Sequence, residues 1–104
     1  MNKNLNIKSL IIDKPLKLDC GQTINNFPLA YETYGSLNEK KDNAILVFHA
    51  LTGDQFVSGI NPITKKEGWW SYAVGSGKSI DTDKYFVICA NVIGGCLGSF
   101  GPSN

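Results

Sequence analysis

The spacing of hydrophobic residues changes partway along the chain. Over residues 27–34 it has period two, with Phe27, Leu29, Tyr31 and Thr33 on one side and Pro28, Ala30, Glu32 and Tyr34 on the other. That alternation predicts a strand with two unlike faces. Residues 16–19 alternate in the same way until Cys20-Gly21-Gln22-Thr23 breaks the pattern, and the mixed stretch 5–12 stops at the turn signal Asp13-Lys14-Pro15. Short connections between the three segments predict an antiparallel meander. Gly35-Ser36-Leu37-Asn38 ends the third strand, and Glu39-Lys40-Lys41-Asp42-Asn43 is a solvated charged loop.

Two later segments do not alternate. Ala44-Ile45-Leu46-Val47-Phe48 and Tyr85-Phe86-Val87-Ile88-Cys89-Ala90 are apolar without a break, as in central strands covered on both faces. Residues 49–84 between them are long enough for a crossover, which predicts a parallel pair in an α/β sheet. Only residues 69–74 offer a helical turn or two. Two strands that need cover on both sides, with almost no helix to supply it, read as the front part of a larger single domain spanning 1–104. Such a chain is expected to expose apolar sheet surface and to aggregate or stay partly molten.

Composition narrows the class. Ten Lys, no Arg, six Asp and three Glu leave a net charge of +1, and 42% of the residues are hydrophobic against 18% charged. This is a globular composition, without the basic stripe that a nucleic-acid or anionic-membrane partner would require. No apolar run is long enough to cross a bilayer, and the polar N-terminus does not read as a secretion signal. Three cysteines without a Cys-x-x-Cys pair, and a single His, argue against a metal site or a disulfide framework. A cytoplasmic setting is therefore expected.

Two glycine-rich segments imitate motifs. Gly75-Ser76-Gly77-Lys78-Ser79 resembles the end of a phosphate-binding loop, but Tyr72 stands where that loop needs its first glycine, and turn residues follow instead of a helix. Gly94-Gly95-Cys96-Leu97-Gly98 matches the spacing of a nucleophile elbow with Cys for Ser. Ser99-Phe100-Gly101-Pro102 then occupies the place where a helix should open, and no second His is present as base. It reads as a glycine-rich loop, with Cys96 as a small filler.

The segment after the first apolar run, His49-Ala50-Leu51-Thr52-Gly53-Asp54, is more informative. It fits the α/β-hydrolase pattern in which the strand before the first crossover ends in a tight turn, and a backbone N–H just beyond supplies half of an oxyanion hole. Ala50 is the small residue at the turn, the Leu51 amide is the donor, and His49 holds the loop by hydrogen bonds.

Together with Leu29-Ala30-Tyr31-Glu32-Thr33-Tyr34-Gly35-Ser36-Leu37-Asn38, Gly68-Trp69-Trp70, and the stretches 75–91 and 94–103, this segment resembles the homoserine O-acyltransferase family, typically its acetyltransferases. The resemblance covers nearly the whole chain in order and spacing, with Phe100 a departure where a small polar residue is usual. It implies an α/β-hydrolase fold: antiparallel strands leading into a mostly parallel sheet, truncated here before the nucleophile elbow. It also implies ping-pong transfer of acetyl from acetyl-CoA, through an acyl-serine, to the homoserine hydroxyl in methionine biosynthesis. No Gly-x-Ser-x-Gly occurs in the 104 residues, and His49 does not match the family's catalytic histidine. The triad is therefore absent from this chain, and no activity is expected of it alone.

By the same resemblance, the Leu51 amide belongs to the oxyanion hole, Thr52, Gly53, Asp54 and Gln55 to substrate binding, and the loop 94–102 to the same side of the pocket. L-homoserine and acetyl-CoA would be the small-molecule partners, with acetyl-CoA as co-substrate, no cofactor, no nucleic acid or membrane, and a homodimer at full length. An esterase of the same fold, a succinyl donor, a serine acceptor and a non-enzymatic binding module stay open as alternatives.

Overall fold

The computed structural model describes residues 7–95 and 97–101. The reading of Cys96 as a filler, and the outer ends of the first strand and of the 94–102 loop, lie outside the described residues. Eight strands form in the order β1 (Lys8–Ile12), β2 (Leu16–Lys17), β3 (Thr23–Ile24), β4 (Phe27–Tyr34), β5 (Ala44–Val47), β6 (Val74–Gly75), β7 (Ile80–Asp81) and β8 (Phe86–Ala90). The main sheet has the order β1-β4-β8-β5. β1 and β8 both run antiparallel to β4, while β5 runs parallel to β8. The two unbroken apolar runs are thus neighbours in parallel, as their pattern predicts.

Three expectations are corrected. The meander does not form, because β1 pairs directly with β4 from Lys8↔Tyr31 to Ile12↔Phe27, and the alternating segment between them folds away as a separate β2–β3 hairpin. Its turn is closed by Leu18 N–H to the Gln22 carbonyl at 2.8 Å and by Gly21 at φ +93°, a left-handed conformation that glycine adopts without strain. The second correction concerns residues 69–74, which form turns: there is no helix among the described residues. Ala73 and Val74 both donate to the Trp70 carbonyl, but Val74 is already in β6, so one turn is all that the segment can complete before it pairs with β7.

The core lies on one face of the sheet. Cross-strand register places Ile45, Val87 and Tyr34 in one row and Val47, Cys89 and Glu32 in the next. Val57, Val74, Trp70 and Ile80, carried by the long segment between β5 and β8, pack onto Val47, Val87 and Cys89. Packing on this side requires close backbone approach: a Cβ on Gly68 would collide with the backbone of Val57 and Ser58. The opposite face has no such cover. Leu46 on β5 and Leu10 on β1, both edge strands, are 59% and 56% exposed. The third correction is that the two apolar runs are not both central strands covered on both faces: β5 lies at the sheet edge, and its apolar pattern is satisfied on one side only.

Candidate active site

The parallel strands β5 and β8 end side by side, and the loops that leave them meet. In open α/β sheets this carboxyl edge is where ligands bind. Here His49, Leu51, Thr52, Gly53 and Asp54 after β5 face Asn91, Val92, Ile93, Gly94, Gly95 and Leu97 after β8 across a cavity of about 530 Å³.

The first wall is a tight turn closed by Gly53 N–H donating to the Ala50 carbonyl at 2.8 Å. Leu51 and Thr52 occupy its exposed tip, with Leu51 98% exposed. Among the described residues nothing accepts a hydrogen bond from the Leu51 N–H, so a strong donor stands unengaged at the cavity rim. His49 fastens this turn to the opposite wall. Its Nε2 accepts from Val92 N–H at 3.1 Å, and its Nδ1 lies 2.7 Å from the Ala50 carbonyl. An acceptor at Nε2 and a carbonyl at Nδ1 define the neutral tautomer protonated at Nδ1. With both nitrogens used, the imidazole is a clasp between loops.

Asp54 is likewise engaged. Its Oδ1 accepts from Phe56 N–H at 2.9 Å, its Oδ2 from Asn61 Nδ2 at 3.2 Å, and its carbonyl from Trp69 Nε1 at 2.8 Å. Trp69 in turn stacks on Trp70, with ring centroids 5.7 Å apart, which ties the turn to the core. Gln55 is fully buried behind the wall and does not line the cavity. Of the five site residues expected from the sequence, Leu51, Thr52, Gly53 and Asp54 are therefore gathered at the cavity, while Gln55 supports it from behind.

The loop from Gly94, expected on the same side of the pocket as Leu51, instead faces it as part of the second wall, which Ser99 and Asn91, a residue the sequence reading did not single out, hold in place. Asn91, buried to 2%, donates through Nδ2 to Gln55 Oε1 at 3.0 Å. Its backbone N–H donates to the Ala30 carbonyl at 2.8 Å. Ser99 Oγ donates to the Asn91 carbonyl at 2.6 Å and accepts from Ala30 N–H at 2.9 Å. Asn91 is the first polar residue after an unbroken apolar strand, and that position at a parallel strand's carboxyl end was the available signal. Tyr34 braces the first wall: its hydroxyl accepts from Val57 N–H at 3.0 Å and donates to the Gln55 carbonyl at 3.1 Å. Burial pushes its phenol up to about 12, and burial likewise pushes the Cys89 thiol beneath the site up to about 11. Neither group is ionised near neutrality, so neither supplies a base or a thiolate nucleophile. No three His, Cys, Asp or Glu side chains gather into a metal cluster among the described residues.

The other glycine-rich segment folds as a turn. Asp81 Oδ1 accepts from Gly77 N–H and Asp83 N–H, both at 3.0 Å, and these bonds hold its carboxyl below the usual range. The Gly77 amide is therefore engaged by a side-chain carboxylate of the same turn.

A mixed sheet whose parallel strands deliver an unengaged backbone donor to a cavity at their carboxyl ends is the opening portion of an α/β-hydrolase fold. Solved structures agree. The chain superposes on a homoserine O-acetyltransferase from Staphylococcus aureus with TM-score 0.77 and 28% identity, covering 95% of this chain and 28% of that one. It superposes on esterase E22 with TM-score 0.79 and 25% identity, covering 93% and 28%. No family model matches. In sequence the chain is 89% identical over 103 residues to the homoserine O-acetyltransferase of Pelagibacter ubique (strain HTCC1062), covering 99% of this chain and 28% of that protein. Over nearly its whole length the chain is similar in sequence to curated homoserine O-acetyltransferases, and it spans about a quarter of the length of those relatives. Among the described residues no helix is long and apolar enough to cross a membrane.

Proposed function

We propose that the cavity is the oxyanion side of an acyl-transfer site, in a cytoplasmic enzyme that moves acetyl from acetyl-CoA to the hydroxyl of L-homoserine. The observation that carries this reading is the Leu51 N–H, unengaged at the tip of a turn that His49 and Asp54 hold rigid. A preorganised amide of this kind stabilises the charge that develops on a carbonyl oxygen under attack, at no reorganisation cost during the reaction. Thr52, Gly53 and Asp54 form the rim beside it. In the ping-pong scheme a serine attacks the thioester and coenzyme A leaves. The homoserine hydroxyl then attacks the acyl-serine and regenerates the serine. The serine, its base and the base's orienting carboxylate come from outside these 104 residues, and the assembled enzyme is taken to be a homodimer.

The test places residues 1–104 in the matching segment of the Pelagibacter relative and follows coenzyme A release with L-homoserine as acceptor. Leu51→Pro removes the N–H in question at the second position of a turn, which proline suits, and Leu51→Ala controls for loss of the leucine side chain. The kcat of Leu51→Pro is expected to fall about 10²–10³-fold, while Leu51→Ala retains most of the activity. Equal rates for the two variants would sink the oxyanion assignment. The likeness to esterase E22 supports a second reading, a hydrolase with water as acceptor. Acetyl release that is indifferent to L-homoserine would favour it.

A further inference from the structure

Two side-chain amides, Gln55 and Asn91, form a relay between the walls of the cavity, and its direction is dictated from one end. Gln55 Nε2 lies 3.0 Å from the Leu97 carbonyl. A carbonyl can only accept, so the Gln55 amide must turn its nitrogen toward Leu97. Its Oε1 then faces Asn91, which must answer with Nδ2, at 3.0 Å. Asn91 Oδ1 is left as the terminal acceptor, buried and without a partner, against the Gly94-Gly95 turn. A Cβ on Gly95 would collide with that oxygen. Both amides are almost fully buried, Gln55 at 0% and Asn91 at 2%, and a buried amide facing the wrong way would oppose two acceptors or two donors at short range. One register of the two loops therefore satisfies the relay, and slipped registers do not.

We propose that Gln55 and Asn91 are positioning residues, a directional amide relay that sets the wall formed by residues 92–95 and Leu97 against the turn carrying the Leu51 amide. Gln55 thus acts on the site through Leu97 and Asn91, without contact with a ligand. His49 makes a second tie between the walls, at the rim, and the relay makes its tie behind the first wall. The consequence for catalysis rests on the acyl-transfer reading above. The relay itself is tested without any acyl chemistry, so either can fail alone.

The test is amide hydrogen exchange by NMR with residues 1–104 placed in the matching segment of the full-length Pelagibacter relative, comparing Gln55→Met, which keeps the volume and removes both bonds, with Gln55→Glu, which can still accept from Asn91 but opposes the Leu97 carbonyl. Gln55→Met is expected to raise exchange of the Val92 and Gly53 amides about tenfold, the scale of one or two lost hydrogen bonds, and to leave Val87 in mid-sheet unchanged. Gln55→Glu is expected to preserve the shift of the Asn91 side-chain amide protons that Gln55→Met loses. Equal acceleration at Val87 would make Gln55 a core filler and overturn the proposal, as would unchanged exchange at Val92. The unmodified full-length protein offers a check that needs no variant to fold. The Gln55 and Asn91 side-chain protons should exchange far more slowly than those of exposed Asn38, and equal rates would refute the relay.

Discussion

Leu46 offers a direct test of how the sheet is covered. It sits mid-strand in β5, an edge strand, and points away from the core formed by Val47 and Val87. It is 59% exposed. Complete burial of a leucine side chain contributes about 1.5–3 kcal/mol, so covering the exposed part contributes about 1–2 kcal/mol. In a contact between two copies the residue counts twice. Leu46→Lys removes that gain and sets a charge on an unpaired edge, which natural sheets use to prevent edge pairing. Self-association measured by sedimentation velocity is expected to weaken at least tenfold, about 1.4 kcal/mol. Binding of a hydrophobic dye should fall in parallel. The far-ultraviolet circular dichroism should not change, because the side chain is already largely in water. Leu37→Lys is the control, since Leu37 is 43% exposed but lies in the loop after β4. If Leu46→Lys associates like the unmodified chain, or if Leu37→Lys does equally well, the uncovered face does not govern association and the reasoning fails.

Tyr34→Phe deletes the hydroxyl between Val57 N–H and the Gln55 carbonyl. Because Val57 N–H also reaches that carbonyl at 3.0 Å, the loss should stay near 1 kcal/mol, read as about fivefold faster exchange at the Val57 amide; no change there would contradict the brace. The folded-state phenol lies above its ordinary 10.0, at about 12. Its contribution is therefore intact below pH 10 and lost as pH climbs through about 12. The Tyr34→Phe chain should lose less structure over that window, and an identical profile would refute the assignment. Cys89, buried and with its thiol pushed up to about 11, should resist alkylation at mildly alkaline pH, whereas exposed Cys20 reacts. Peptide mapping that finds the two labelled at one rate without denaturant would show that the core is not packed.

Much of the architecture was legible because local pattern and final environment agree. The two unbroken apolar runs became the parallel β5–β8 pair, and the alternating run became β4, which bridges β1 to β8. The turn at 50–53 was readable because a small residue and a glycine bracket it after an apolar strand. Pairing partners were less accessible. Residues 16–19 alternate as a sheet strand does, yet a glycine turn lets Leu16–Lys17 pair with Thr23–Ile24, and nothing local distinguishes that hairpin from a meander. The tryptophan segment had one helical turn's worth of signal and lost it to β6.

The sequence by itself determined that residues 27–34, 44–48 and 85–90 carry strands, where the carboxyl ends of the last two lie, and which turn offers a free backbone donor. These depend on side-chain period and on glycine and proline placement within a few residues. Only the tertiary structure decided that one sheet face is covered and the other open, that Gln55 sits behind the cavity wall while Thr52 and Asp54 sit on it, and that His49, Gln55 and Asn91 tie two loops together. Those outcomes depend on hydrogen bonds between residues 36 to 43 positions apart, a separation over which periodicity carries no information about the partner.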